Sequence, residues 1–387
     1  MSRFPVVPAI LGSLLAGALL CVPVARAADA PAADARVAGA ADAPAASTGF
    51  APWVPRNGHA RPLIAVVGDN AGAELTDFVV PYAVLQRSGA ADLLAVATRP
   101  GPMTMRPALR LRPDTDVDGF DAWHPEGADY VVVPALVHQD EPKLLAWLRA
   151  QHEKGATIVS ICDGALVVAG AGLLEGHRAT AHWATEKYRR KTWPTTEWVA
   201  NTRYVVDGRI ASSAGISASI PVSLALVEAI AGHERAAQVG ATLGVDAWGT
   251  THDSDAFGLG GGNLWPLVQV NITNHWFHRS DRYEIALRPG IDDLALALTA
   301  DAWSRTGRGE VRAVSAEAEV QGGTGLLWFA DAPATSGRKA QPLALVQAAP
   351  GASLFDALLA GIDLRYGDAT ALGVALDFEY PWRLAGR

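Results

Sequence analysis

Short unbroken apolar runs alternate with amphipathic stretches through the first part of the chain. Pro62 to Val67 (PLIAVV) is a buried strand followed by a Gly68-Asp69 turn. Leu75, Val79, Tyr82 and Leu85 recur at helical spacing, so the pattern predicts a helix from Leu75 to Arg87 that stops at Gly89. Leu93 to Thr98 and Tyr130 to Val133 are the next strands. Glu141-Pro142 opens a helix with Leu144, Leu145 and Leu148 on one face and Gly155 past its end. Ala156 to Ile161 predicts a strand, and Gly164 to Leu174 an apolar helix stopped by Gly176. Arg203 to Ser212 reads as a hairpin on Asp207-Gly208, and Ile216 to Ile230 as the helix after it. Apolar strands alternating with helices predict a mainly parallel sheet covered on both faces. Ligands in such folds sit at the carboxyl ends of the strands.

The first residues follow another pattern. Ser2-Arg3 is a basic start, Ala9 to Val22 an apolar run, and Ala25-Arg26-Ala27 a small-x-small cleavage signal. These predict a signal peptide over residues 1–27, and therefore a periplasmic or secreted protein with no stable membrane insertion after cleavage. Residues 28–55 are nearly all Ala, Pro, Asp, Gly and Ser, and predict a disordered tether.

The formal net charge is -8, which becomes -10 without the first 27 residues and their two arginines. An acidic chain without a basic block is a poor partner for nucleic acid. The two cysteines, Cys21 and Cys162, exclude a disulfide scaffold and a Cys-based zinc site. Cys21 leaves with the signal, and Cys162 remains as a free thiol.

Candidate chemistry gathers at one junction. Ile158 to Ala165 (IVSICDGA) is a strand that breaks at Cys162 and enters a helix. A helix start favours thiolate over thiol, which predicts a nucleophile. A buried structural cysteine fits the same local pattern.

The stretch Ser160 to Trp183 (SICDGALVVAGAGLLEGHRATAHW) resembles the cysteine elbow of the ThiJ/PfpI superfamily, a branch of the class I glutamine amidotransferase-like fold. It is most similar to the isonitrile-hydratase branch and the sensor domains of AraC-type regulators. Gly72 to Pro81 (GAELTDFVVP) is similar to the family's first helix, whose acid hydrogen-bonds the cysteine, and by position that acid is Asp77. Ala211 to Ala218 followed by Leu224 to Glu228 looks like the family's closing loop and helix. The resemblance spans roughly residues 60–235. It implies a three-layer, flavodoxin-like α/β fold with a cysteine elbow, a small-molecule ligand or substrate and no cofactor, and it leaves room for a homodimer. It also places His182 and Trp183 by the cysteine, His182 as base or orienter.

The sequence departs from the family at two places. Asp163 stands after the cysteine where protease-type members carry His and isonitrile-hydratase relatives Thr, so a protease is disfavoured. Pro134-Ala135-Leu136 replaces a Pro-Gly-Gly that supplies an oxyanion-hole amide; a backbone N–H survives, but ligand approach is harder.

Beyond residue 235 the order changes. Residues 236–280 echo the segment that connects AraC-type sensors to their DNA-binding part, then Gly260-Gly261-Gly262 reads as a hinge with no basic recognition helix after it. Residues 281–387 open as strand, helix, strand: Tyr283 to Leu287, Ile291 to Trp303, Val311 to Ser315. Laid on the start of the chain, Gly72 matches Gly290, Arg87 matches Arg305, Gly89 matches Gly307, and Ala95-Val96 matches Ala313-Val314, with Ala295 opposite Asp77. Two origins fit: a degenerate half-repeat without chemistry of its own, or chance likeness between two βαβ units. His252 with Asp253 and Asp255, and His275 with His278, lack a third ligand, so solvated faces and no metal are expected there.

The resulting expectation is an exported, cysteine-dependent hydratase or hydrolase using Cys162, Asp77 and His182 on a small molecule. The alternative is a non-catalytic small-molecule or redox sensor with the same pocket.

Overall fold

The computed structural model describes residues 49–260, 262–333, 340–349 and 351–383. The expected signal peptide, most of the expected tether, and Gly261 of the expected hinge lie outside the described residues.

The elements that frame the site begin with β1 (Leu63–Gly68), α1 (Leu75–Ser88), β2 (Asp92–Ala97) and the hairpin β3 (Met103–Arg106) and β4 (Arg110–Arg112). They continue with β5 (Thr115–Asp116), β6 (Tyr130–Val133), α2 (Pro142–Glu153), β7 (Thr157–Ser160) and α3 (Gly164–Gly170). The hairpin β8 (Tyr204–Asp207) and β9 (Ile210–Ser213) follows, then α4 (Ser219–Ala231) and α5 (His233–Thr242). The remainder contributes β10 (Asp281–Ala286), α6 (Asp293–Arg305), β11 (Gly309–Val314), the hairpin β12 (Glu319–Gln321) and β13 (Leu327–Phe329), α7 (Leu354–Tyr366) and α8 (Asp368–Asp377).

The central sheet has seven strands in the order β8-β9-β7-β6-β1-β2-β5, parallel except at edge strand β8. The inner strands β1 and β6 are buried at every position, the pattern of a sheet covered on both faces. The α/β class expected from the apolar runs is therefore the observed one. Helix α1 begins at Glu74, whose carboxylate accepts the Asp77 N–H at 2.5 Å, and ends at Gly89 with φ 62°, a left-handed cap that glycine adopts without a Cβ clash.

Two elements differ from expectation. The helix expected from Gly164 to Leu174 closes at Gly170, and the residues after it form turns. The end of the expected tether is docked: Trp53 donates its backbone N–H to Ala229 O at 2.8 Å and its indole N–H to Asp129 at 3.4 Å, and Arg56 pairs with the same buried Asp129 at 2.8 Å. The indole and guanidinium give this short segment contacts that its Ala- and Pro-rich neighbours lack.

The later elements form a smaller sheet of parallel strands, with β10 between β11 and the short strand Gln341–Pro342. The hairpin β12-β13 joins the hairpin β3-β4 of the first unit in a separate mixed sheet, β13 pairing antiparallel with β4. Helix α6 packs against α1. No helix among the described residues is long and apolar enough to cross a membrane.

Candidate functional site

Strand β7 carries the chain up the middle of the sheet and delivers it to Cys162, which has φ 54°. A side-chain-bearing residue in this left-handed region is strained, and such strain collects at functional turns. The turn needs Gly164 behind it: a Cβ there would stand 2.1 Å from the carbonyl oxygen of Val133, so only glycine lets α3 close onto the end of β6. The Cys162 N–H donates to Ser213 Oγ at 3.4 Å, tying the elbow to β9.

Cys162 is 7% exposed. Burial pushes its thiol well above the ordinary range, and the carboxyls of Asp77, Asp163, Glu74 and Glu379 push the same way. The thiolate expected from the helix start is therefore not favoured. The dipole of a short helix is outweighed by desolvation and four acids.

Asp77, on the first turn of α1, is fully buried. One carboxyl oxygen accepts the Ala135 N–H at 3.2 Å, and the other, Oδ1, has no hydrogen-bond partner. The carboxyl lies close enough to Cys162 to raise its thiol, but the expected hydrogen bond to the cysteine is not formed. Burial raises Asp77 well above the usual carboxylate range; the Ala135 N–H and the Arg305 charge oppose the shift, and Asp301 and Asp163 add to it. Ala135 thus spends its amide on Asp77 and is not free for the oxyanion role expected of it. The next residue, Leu136, forms a backbone bridge to Ala73.

His182 is buried, and both ring nitrogens are engaged away from the sulfur. Nε2 lies 3.0 Å from the carbonyl oxygen of Asp377, and Nδ1 accepts the Ala184 N–H at 3.3 Å. The ring is not hydrogen-bonded to Cys162, so the role of base expected of it has no direct link to the sulfur. Asp163 turns to Thr185, accepting its hydroxyl at 2.7 Å, and burial raises its carboxyl. Trp183 donates its N–H to Glu379 Oε1 at 2.5 Å and its indole N–H to Leu376 O at 3.0 Å.

Glu379 is the residue that sequence reasoning missed. Its carboxylate accepts the amides of Trp183 and Gly215, the latter at 2.8 Å, and meets His252 at 3.0 Å. Burial would raise it, but the hydrogen bond from His252, the nearby His182 and the Gly215 amide outweigh that and hold it below the ordinary range. The solvated face expected around His252 is thus incorrect: its side chain is 7% exposed and paired with a buried acid. Two acids, Asp377 and Glu379, amid the apolar run Ala375 to Trp382 were the hint of this burial, and nothing in the pattern joined Glu379 to Cys162. Among the described residues no cluster of His, Cys, Asp and Glu has the arrangement to hold a metal ion.

The assembled site is a hidden, neutral thiol on a strained elbow, facing acids and walled by the C-terminal segment. Its sequence has relatives. Residues 64–229 match the DJ-1/PfpI family. The chain is 38% identical over 98 residues to the HTH-type transcriptional regulator CdhR of Pseudomonas aeruginosa, covering 25% of this chain and 29% of the regulator, so it spans under a third of that relative. It is 29% identical over 165 residues to the isonitrile hydratase of Pseudomonas putida, covering 41% of this chain and 68% of the hydratase. It is 28% identical over 185 residues to the Parkinson disease protein 7 homolog of Danio rerio, covering 44% and 92%. Among solved structures, Drosophila melanogaster DJ-1beta aligns with a TM-score of 0.43 at 22% identity, over 48% of this chain and 98% of that one. From its first buried strand to the helix after the β8-β9 hairpin, this chain carries a DJ-1/PfpI family domain.

Proposed function

We propose that Cys162 acts covalently on a compact electrophile, a carbonyl-like or isonitrile-like carbon, in a hydration or hydrolysis. The supporting observation is the pairing of a neutral thiol with a buried acid: Asp77 is raised by burial, and its Oδ1 is without a partner beside the Cys162 turn. A carboxyl kept protonated in this way is a proton donor at neutral pH. Sulfur bonds to the electrophilic carbon while the S–H proton passes to the substrate with Asp77 as relay; in a hydrolysis that proton leaves with the group whose bond to the carbon then breaks. Water then takes the place of sulfur on that carbon, the C–S bond breaks, and the thiol recovers its proton. The similarity to an isonitrile hydratase supports this chemistry.

A second reading, a sensor that binds a small molecule without turning it over, is favoured by one observation. Both ring nitrogens of His182 are occupied, so no hydrogen-bonded base draws the proton from Cys162. The similarity to a transcriptional regulator accords with it, although the acidic charge argues against nucleic acid as a partner of this chain.

A panel of small aldehydes, amides and isonitriles offered to the wild type, Cys162→Ala and Asp77→Asn separates the two. Turnover lost in both variants supports the enzyme. Binding without turnover in the wild type supports the sensor, and turnover retained by Cys162→Ala defeats the covalent step. Export forms part of the proposal: mass spectrometry of the bacterially expressed protein should find a mature N-terminus at Ala28, and an intact Met1 on soluble cytoplasmic protein would remove it.

A further inference from the structure

The second unit repeats the beginning and the end of the first. Strand β1 (63–68) and helix α1 (75–88) recur, at one constant spacing, as β10 (281–286) and α6 (293–305). Strands β2 and β11 then pair in parallel with β1 and β10 in the same way. Each copy continues with a hairpin and the same aspartate clasp. Asp114 donates its N–H to Ala95 O at 2.8 Å and accepts the Ala95 N–H at 2.7 Å. Asp331 does the same with Ala313, at 2.8 and 2.9 Å.

The end of the unit is repeated too, at a shorter spacing. Helices α4 and α5 have 13 and 10 residues and are joined by Gly232 at φ 83°, ψ 164°. Helices α7 and α8 have 13 and 10 residues and are joined by Gly367 at φ 87°, ψ 162°. Each glycine donates its N–H four residues back, Gly232 to Glu228 O and Gly367 to Asp363 O, both at 2.8 Å. The second copy lacks a counterpart of the part between, which in the first holds β6, α2, β7, Cys162 and the β8-β9 hairpin.

The two copies meet through matching parts. Helix α1 packs on its counterpart α6, and β4 pairs with its counterpart β13, Leu111 opposite Trp328. The ion pairs across the contact are reciprocal. Glu74 caps α1 and Asp292 caps α6. Arg305, near the end of α6, reaches Glu74 at 2.7 Å, and its counterpart Arg87, near the end of α1, reaches Asp292 at 2.7 Å. Contact of residue i with j and of j with i is the mark of a two-fold, self-complementary interface. Chance likeness of two βαβ units explains neither this reciprocity nor the repeated α4-α5 pair.

We propose that residues 281–383 are a fused second subunit that has lost its nucleophile and occupies, within one chain, the face on α1 and β4 that a symmetric partner would take. The fused unit adds to the first unit's site: Glu379 holds the amides of Trp183 and Gly215, the Asp377 carbonyl oxygen accepts from His182 Nε2, and Arg305 holds the cap of the helix bearing Asp77. The active species is a single chain. This holds whether the site turns over substrate or only binds it.

The test uses the full chain with Cys21→Ser and Cys162→Ser and adds Arg112→Cys with Leu327→Cys, neighbours across the β4-β13 pairing. Oxidation, or a short bis-maleimide, should close the bridge within one chain, leaving the mass of a single chain under non-reducing conditions and no free thiol. A bridge between two chains, or two thiols that neither oxidation nor the reagent joins, would overturn the proposal. Light scattering on the unsubstituted chain gives an independent reading if the variant does not fold. One-chain mass over tens of micromolar is expected, and a stable two-chain particle overturns it.

Discussion

Nε2 of His252 lies 3.0 Å from Oε2 of Glu379, and the two side chains are 7% and 0% exposed. The histidine comes from the segment that joins the units and the acid from the turn after α8, so a buried hydrogen-bonded pair fastens the C-terminal segment beside Cys162. Two backbone amides share the same carboxylate, which satisfies it as burial requires.

Glu379→Gln should therefore destabilise the fold by about 3 kcal/mol at neutral pH, because it removes the acceptor charge and leaves His252 and two amides around a neutral group. The pH dependence has a definite sign. Glu379 is held below its ordinary range in the folded state, so its stabilisation is present above the unfolded value and lost as pH falls through the folded one. Urea unfolding should show the gap between wild type and variant narrowing below about pH 4. A gap that widens on acidification would contradict this account.

Arg305 and Arg87 make matching ion pairs in different surroundings. Arg305 is 21% exposed and faces Asp301, which is fully buried, at 2.6 Å as well as Glu74; Arg87 and Asp292 are 26% and 50% exposed. Arg305→Met should cost about 3–5 kcal/mol by stranding buried acids. Arg87→Met should cost under about 1 kcal/mol, the usual worth of a solvated pair. Equal losses in parallel denaturation curves would show that burial does not separate the two.

The framework was legible because its strands are continuous apolar runs and its helices end on glycines, as at β1 and Gly89. The elbow was legible because a lone cysteine follows a buried strand and precedes Gly164. The state of the thiol was not, since it depends on acids from distant parts of the chain. Asp77 and Asp163 flank known motifs, but Glu379 reaches the site only through the packing of α8, which no local pattern encodes. The same limit hid His252, whose neighbours Asp253 and Asp255 suggest a wet loop although its own ring points inward. Arg87 and Arg305 were matched in sequence, but their reciprocity is a property of the docked units alone.

Asp77 gives the opposite pH dependence to Glu379. Burial raises its folded value, so its contribution to stability is full below the unfolded value and is lost as pH rises through the folded one. Asp77→Asn is nearly isosteric and has no charge to bury. Melting temperatures from pH 4 to pH 9 should show the variant gaining on the wild type as pH rises. A difference that stays flat would mean that Asp77 is ionised and well paired throughout, against the unpartnered Oδ1 seen here.

The last prediction concerns the sulfur. Cys162 is 7% exposed and its thiol is pushed well above the ordinary range, first by burial and then by Asp77, Asp163, Glu74 and Glu379. Native protein should therefore react slowly with iodoacetamide, and the rate should still be climbing at pH 9, where an ordinary thiol with a value of about 8.5 has begun to level off. The unfolded chain should react as an ordinary thiol. Asp77→Asn removes one of the opposing carboxyls and should shift the native profile toward lower pH without exposing the sulfur. A native rate that levels off below pH 8 would reveal a stabilised thiolate, and the proton relay through Asp77 would then give way to direct attack by an already ionised cysteine.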